Sequence, residues 1–303
     1  MSASAETVQQ AISTFQEATA LNLRCPHRHG SVVILSPADG QDVMITADLH
    51  GNRRNFQRIL ELAALDESPR RHLIMQEVCH GGPTYPDSVG CMSHLMLEDV
   101  ARLKVQYAER FHFLLSNHEL AELTDFPILK SKRMLNLMFR CGMQEMYGDQ
   151  VDSVREAAVA FLDSLPVAVR LPGHVLVCHS LPAQTDERGF DAGVFARPLA
   201  RRDLVEGGDV FRLTWGRDYR QANADAFAEA TGDALFITGH EPCPLGHQTP
   251  NSRQVILDCC NEIASYALLP LSDQPLTQAD VLSHVHSLHG PAAHSNSANG
   301  AAR

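Results

Sequence analysis

The chain has 303 residues, of which 44% are hydrophobic and 20% charged, with a formal net charge of -11. These values are ordinary for a globular protein with a sizeable core, and they argue against a nucleic-acid backbone as the natural partner, because phosphate-backbone binding rests on Lys and Arg clusters that are not apparent here. No apolar stretch reaches the roughly 20 residues that a membrane-spanning helix needs, so no membrane role is expected.

The opening Met1-Ser2-Ala3-Ser4-Ala5-Glu6 lacks the basic start and apolar core of a secretory signal, which makes the cytoplasm the expected location. Eight cysteines (Cys25, Cys79, Cys91, Cys141, Cys178, Cys243, Cys259 and Cys260) show no Cys-x-x-Cys spacing and are read as reduced thiols. Adjacent Cys259 and Cys260 are read as small apolar fillers of a strand-like run. Nothing in the sequence fixes the oligomeric state.

Residues 5 to 20 predict an amphipathic helix, followed by a turn at Cys25-Pro26-His27-Arg28-His29-Gly30, whose Cys/His pattern lacks the second half of a metal site. The first 30 residues are thus an N-terminal helix and turn. Ser31 to Leu35 and Val43 to Thr46 read as strands around the turn-forming Pro37-Ala38-Asp39-Gly40, predicting a hairpin. From Asn52 to Leu65 apolar residues recur at helical spacing. A strand at His72 to Gln76, a Gly/Pro-rich loop, a helix from about Met92 to Arg110 and a strand at His112 to Leu115 follow, implying parallel pairing with right-handed crossovers and a site at the strands' carboxyl ends.

Residues 120 to 163 read as mainly helical, with Leu135, Leu137, Met138, Phe139, Met143 and Met146 assigned to the core. Pro166 to Leu171 and His174 to Cys178 flank Pro172-Gly173 and predict a second hairpin. Leu235 to Thr238, Gln254 to Asp258 and Ser265 to Leu269 read as strands of a mostly antiparallel second half. The arginine pairs Arg53-Arg54, Arg70-Arg71 and Arg201-Arg202 are read as solvated surface. One domain over 1–275 is expected, with residues 285–303, rich in Ser, Ala, His, Asn and Gly, as a disordered tail.

Several apolar runs end in polar residues suited to a pair of divalent first-row metals. They are Val43-Met44-Ile45-Thr46-Ala47-Asp48-Leu49-His50-Gly51-Asn52, Leu114-Leu115-Ser116-Asn117-His118-Glu119, Val175-Leu176-Val177-Cys178-His179-Ser180 and Leu235-Phe236-Ile237-Thr238-Gly239-His240. Their order and wording resemble the calcineurin-like metallophosphoesterases, in the style of the serine/threonine protein phosphatase branch, whose motifs run Gly-Asp-x-His-Gly, Gly-Asp-x-x-Asp-Arg-Gly, Gly-Asn-His-Glu, His and Gly-His. Four of the five motifs are legible. The resemblance implies an α/β fold, an α/β/β/α sandwich of two mixed sheets flanked by helices. It also implies that Asp48 and His50 hold one metal, that Asn117, His179 and His240 hold the second, and that His118 acts as general acid beside Asn117. The ions would be Mn²⁺ by first expectation, with Fe, Zn or Mg as alternatives.

The second motif is altered to His72-Leu73-Ile74-Met75-Gln76-Glu77-Val78-Cys79-His80-Gly81-Gly82. Either Gln76 or Glu77 could take the bridging position of the family's Asp. Glu77 is preferred, because a neutral amide is a poor bridge between two dications. In that register His80 stands where the family has the Asp that orients the catalytic His, and Gly81 where it has the phosphate-gripping Arg. Arg217, in Thr214-Trp215-Gly216-Arg217-Asp218, is a candidate substitute. The expected function is metal-dependent phosphoester hydrolysis of a phosphorylated small molecule or phosphoprotein. The rivals are a catalytically weakened protein that binds a phosphorylated ligand and a cyclic-nucleotide phosphodiesterase.

Overall fold

A computed structural model describes residues 3–290. In chain order the first half comprises α1 (Ala5–Leu23), β1 (Arg28–His29), β2 (Val32–Ile34), β3 (Asp42–Ile45), α2 (Arg53–Ala63), β4 (Arg71–Gln76), α3 (Ser93–Gln106), β5 (Phe111–Leu114), α4 (Asn117–Thr124), β6 (Leu129–Lys130), β7 (Arg133–Met134), α5 (Leu135–Tyr147) and α6 (Val151–Asp163). The second half comprises β8 (Ala168–Leu171), β9 (Val175–Cys178), α7 (Thr185–Arg188), α8 (Arg201–Leu204), α9 (Asp209–Trp215), α10 (Gln221–Thr231), β10 (Leu235–Thr238), β11 (His247–Gln248), β12 (Gln254–Leu257), β13 (Ser265–Pro270), α11 (Gln278–Ser283) and β14 (Val285–Ser287).

Two mixed sheets form the centre. One has the order β1-β2-β8-β9-β10-β12-β11 and the other β14-β13-β3-β4-β5, and a continuous apolar core links them beneath flanking helices. In the five-stranded sheet β3, β4 and β5 are parallel neighbours joined by α2 and α3. Their residues are buried on both faces, so apolar side chains do not alternate with exposed polar ones, and the polar residues they carry, Asp42, Arg71, His72, Gln76 and His112, are buried too. In the seven-stranded sheet β9, β10 and β12 are parallel in turn. Loops at the carboxyl ends of both parallel sets therefore converge between the sheets, as expected for ligand sites in open α/β sheets.

Several expectations need correction. The proposed hairpin of the first two strands does not form: β2 pairs with β1 and β8, while β3 pairs with β4 and β13 in the other sheet. The Pro37–Gly40 stretch, with Asp39 accepting from the Ser36 amide at 2.7 Å, is instead a corner between sheets. In the second half the antiparallel pairings β8–β9, β11–β12, β13–β14 and β13–β3 frame a parallel centre, where β10 is parallel to both of its neighbours. Arg71 is buried and forms a bidentate pair with Asp42 at 2.7 and 3.1 Å, anchoring adjacent strands. Leu137 is 54% exposed and is not a core residue. The chain also stays ordered past 285: β14 adds an antiparallel edge to β13, with Ala267 opposite Val285. The rest of the expected tail, 291–303, lies outside the described residues. None of the helices among the described residues is long and apolar enough to cross a membrane.

Candidate metal centre

Both sheets supply the centre. Asp48 and His50 follow β3, Glu77 follows β4, and Asn117 and His118 open α4 just after β5, while His179 follows β9 and His240 follows β10. Three of these residues, and His80 in the loop after β4, carry positive φ without being glycine: His50 at 44°, Glu77 at 46°, His240 at 71° and His80 at 63°. Each such conformation costs on the order of 1 kcal/mol or more, and strain of this kind clusters at functional sites.

One set of donors is tight. The Asn117 Oδ1 lies 2.7 Å from His179 Nε2 and 3.0 Å from His240 Nδ1, the two ring nitrogens are 3.1 Å apart, and Glu77 Oε2 is 3.0 Å from His179 Nε2. The Glu77 Oε2 contact lacks hydrogen-bond geometry, and the atom is otherwise a buried acceptor without a partner. Donors at metal–ligand distances of about 2.1 Å around an octahedral ion sit about 3.0 Å from one another along its edges. The donor set therefore fits a divalent ion. A second group is formed by His50, Glu77 and His118. His50 Nε2 contacts Glu77 Oε1 at 2.9 Å, so Glu77 belongs to both groups through different oxygens.

Asp48 lines the same cavity, of about 220 Å³, and its two oxygens accept the His240 amide at 2.9 and 3.1 Å. This lock needs Gly239, where an added Cβ would meet Asp48 Oδ1 at 2.3 Å.

Gln76, the other residue considered for the bridging position, points its amide elsewhere. Its Nε2 donates to the Thr46 carbonyl at 3.2 Å and its Oε1 meets His179 Nδ1 at 2.9 Å, which turns His179 Nε2 toward the other donors. Glu119, the last residue of the third motif, accepts the amides of Val78 and Cys79 at 3.0 and 2.8 Å and so fixes the loop behind Glu77. The absence of an Arg at Gly81 has a steric reason. Gly81 has φ 142°, and an added Cβ would meet the His50 carbonyl oxygen at 2.4 Å.

His118 is oriented by a chain of buried groups. Its Nδ1 lies 2.9 Å from His80 Nδ1, and His80 Nε2 lies 2.8 Å from Glu122 Oε1. Arg140 reaches Glu122 Oε2 at 3.3 Å. His80 therefore does not line the cavity that His118 lines but stands behind His118. Glu122 escaped the sequence reading, although its place four residues after His118, one helical turn on, was a usable signal. Arg217 lines the cavity, where its guanidinium pairs with Glu241, itself bonded by Tyr219 at 2.5 Å. Trp215 packs on His240 with ring centroids 6.5 Å apart.

Electrostatics separate the groups. Burial, reinforced by Glu77, pushes the Asp48 carboxyl up to about 7. Burial opposes charge on Glu77 as well, yet the imidazoles of His118, His179 and His50 hold it well below the usual carboxylate range. For His50, burial is outweighed by Glu77 and Asp48, which raise it to about 9. Burial drives His118 and His240 well below the ordinary imidazole value. Without metal, the two carboxylates are partly neutralised by protons on neighbouring groups, which divalent ions could replace.

The sequence matches no protein-family model and no curated protein. Solved structures do match. A protein serine/threonine phosphatase from Saccharomyces cerevisiae, described as similar to human phosphatase PP5, aligns over 92% of this chain and 88% of its own, at 15% identity and a TM-score of 0.59. A cold-active protein-tyrosine phosphatase from a psychrophilic Shewanella species aligns over 86% and 83% at 14% identity, with a TM-score of 0.50. At such identities the likeness is one of fold: the chain shares the two-sheet α/β architecture of these phosphatases.

Proposed function

On this fold, we propose that the chain is a metal-dependent phosphoester hydrolase, with Asp48, His50 and Glu77 holding one divalent ion and Glu77, Asn117, His179 and His240 a second. The observation that carries the reading is the knot of donors from both sheets, Glu77 Oε2, Asn117 Oδ1, His179 Nε2 and His240 Nδ1, at 2.7–3.1 Å contacts. Two bound ions would supply Lewis acidity toward the phosphoryl oxygens and an acidified water near neutral pH.

The chain's own residues do the rest. His118 faces the cavity and hands a proton to the departing ester oxygen. Glu122 accepts the His80 Nε2 proton, which leaves His80 Nδ1 as the acceptor for His118 Nδ1–H and fixes the ring. The Glu77 charge offsets part of the burial penalty on a protonated His118. Trp215 and His240, the latter held by Asp48, line the same cavity. Arg217 binds phosphate once its guanidinium leaves Glu241.

The test is metal content together with turnover of p-nitrophenyl phosphate with Mn²⁺. A protein that retains no metal under any loading condition overturns the reading. A second reading, a phosphate-ester binder with little turnover, is favoured by the pairing of Arg217 with Glu241 and by Gly81 in the arginine position. Equal, negligible activity in the parent, Glu77→Gln and His118→Asn proteins would select it. A cytoplasmic location and a phosphorylated small molecule or phosphoprotein substrate remain part of the proposal.

A further inference from the structure

The β6–β7 hairpin, which borders the metal centre, carries three features that the hydrolytic chemistry does not use. The first is charge. The chain has only three lysines: Lys104, which is buried, and Lys130 and Lys132, which stand on this hairpin next to Arg133. Among the described residues Lys130, Lys132 and Arg133 form no ion pair, in a chain whose net charge is -11.

The second is backbone conformation. Lys130 pairs with Arg133, so Ser131 and Lys132 form a two-residue turn with φ of 51° and 62°. Asn-Gly or Gly-containing pairs adopt that turn most easily. Side chains kept there at a cost of order 1 kcal/mol each point to a role other than stability.

The third is shape. Lys130 lines both the metal-centre cavity and an adjoining one of about 260 Å³ that runs past His80 and Gly81. Arg133 and Met138 line that second cavity and also a third, of about 350 Å³, walled by Val89, Met134 and Leu137. Val89 and Leu137 are 62% and 54% exposed, so the outer end of the groove is apolar and open.

We propose that this groove binds a phosphorylated peptide in extended form: phosphate at the metal centre, a nearby acidic side chain against Lys130 and Arg133, and an apolar side chain in the outermost cavity. The proposal rests on the phosphoesterase reading of the metal centre. Cross-strand partners such as Lys130 and Arg133 have Cα atoms about 5 Å apart, which one or two residues of extended peptide, at about 3.3 Å each, cover. A compact diphosphate would meet the cations but leave the apolar cavity without a ligand.

The test uses fluorescent peptides bearing a non-hydrolysable phosphonate in place of phosphoserine or phosphotyrosine, flanked by Asp or by Lys, with Leu or Ser further out. Binding to the full chain equilibrated with Mn²⁺ is read by anisotropy. Acid-flanked peptides with Leu should bind at least about tenfold tighter than Lys-flanked ones. The combined charge reversal Lys130→Glu with Arg133→Glu should erase that difference, and Leu137→Ser should erase the preference for Leu while the charge preference survives. Equal affinities for all flanks, or discrimination that survives the charge reversals, overturns the proposal. So does inorganic pyrophosphate binding that depends on Lys130 and Arg133 while peptide flanks have no effect, which would assign the cations to a small diphosphorylated ligand. Binding is read without turnover. A chain that discriminates among the peptides yet hydrolyses no phosphate ester loses the hydrolase assignment and keeps this one, and p-nitrophenyl phosphate turnover without peptide discrimination means the reverse.

Discussion

Replacing Glu122 by Gln tests the buried relay behind His118. The carboxylate is 3% exposed and accepts from His80 Nε2 at 2.8 Å, so the change removes a charge-assisted hydrogen bond in a water-poor setting. Such bonds contribute about 1.5–3 kcal/mol. A Gln amide can also donate to His80 Nε2, which would force the proton onto His80 Nδ1, facing His118 Nδ1–H at 2.9 Å. If the full 1.5–3 kcal/mol falls on the transition state, kcat drops about 10- to 150-fold at 1.4 kcal/mol per decade. The loss should concentrate on esters with poor leaving groups, because only these need a proton from His118. Alkyl phosphates should lose the full factor and dinitrophenyl phosphate only a small part of it. In the His118→Ala background Glu122→Gln should add almost nothing, since groups acting as a unit are non-additive. A uniform loss across leaving groups, or an effect of the same size without His118, would refute the relay; metal content serves as the control for an intact centre.

Three other outcomes follow from the geometry. Glu77→Gln should weaken binding of the second equivalent of metal by at least tenfold, because a neutral amide cannot bridge two dications; isothermal titration with Mn²⁺ checks the stoichiometry. Gly239→Ala should disturb metal binding more than folding, since the new Cβ falls 2.3 Å from Asp48 Oδ1. Overpacking of this kind costs about 1–3 kcal/mol, and parent-like metal affinity would count against the Asp48 lock.

The last concerns protons. His50, raised from 6.5 to about 9, is charged in the metal-free protein at neutral pH. Its charge stabilises the metal-free fold fully below pH 6.5, and the contribution disappears as pH rises through about 9. Metal binding at pH 7 must therefore release protons and weaken as pH falls. Calorimetric heats that do not vary with the ionisation enthalpy of the buffer would contradict this.

The sequence made the ligand-bearing strand ends legible because buried parallel strands must be apolar up to the point where they deliver polar groups, as at Ile45, Gln76 and Cys178. Strand partnership was less legible. β2 and β3 are both short, mainly apolar and mainly buried, and nothing in their residues distinguishes a neighbour in one sheet from a neighbour in the other. Arg71 looked like surface because its partner, Asp42, lies on a different strand and becomes adjacent only through parallel pairing. Glu122 was missed for a similar reason. The family pattern draws attention to a carboxylate in the second motif, whereas here the relay passes through His80 to a carboxylate on α4.

The division of the ligands between sheets makes the metal centre a clasp. Asp48, Glu77 and Asn117 come from one sheet and His179 and His240 from the other, so neither residues 3–163 nor residues 168–290 hold the full donor set. A chain divided in the connection after α6 would give two pieces that share a centre only when reassembled, and recovered metal retention would then report complementation between them.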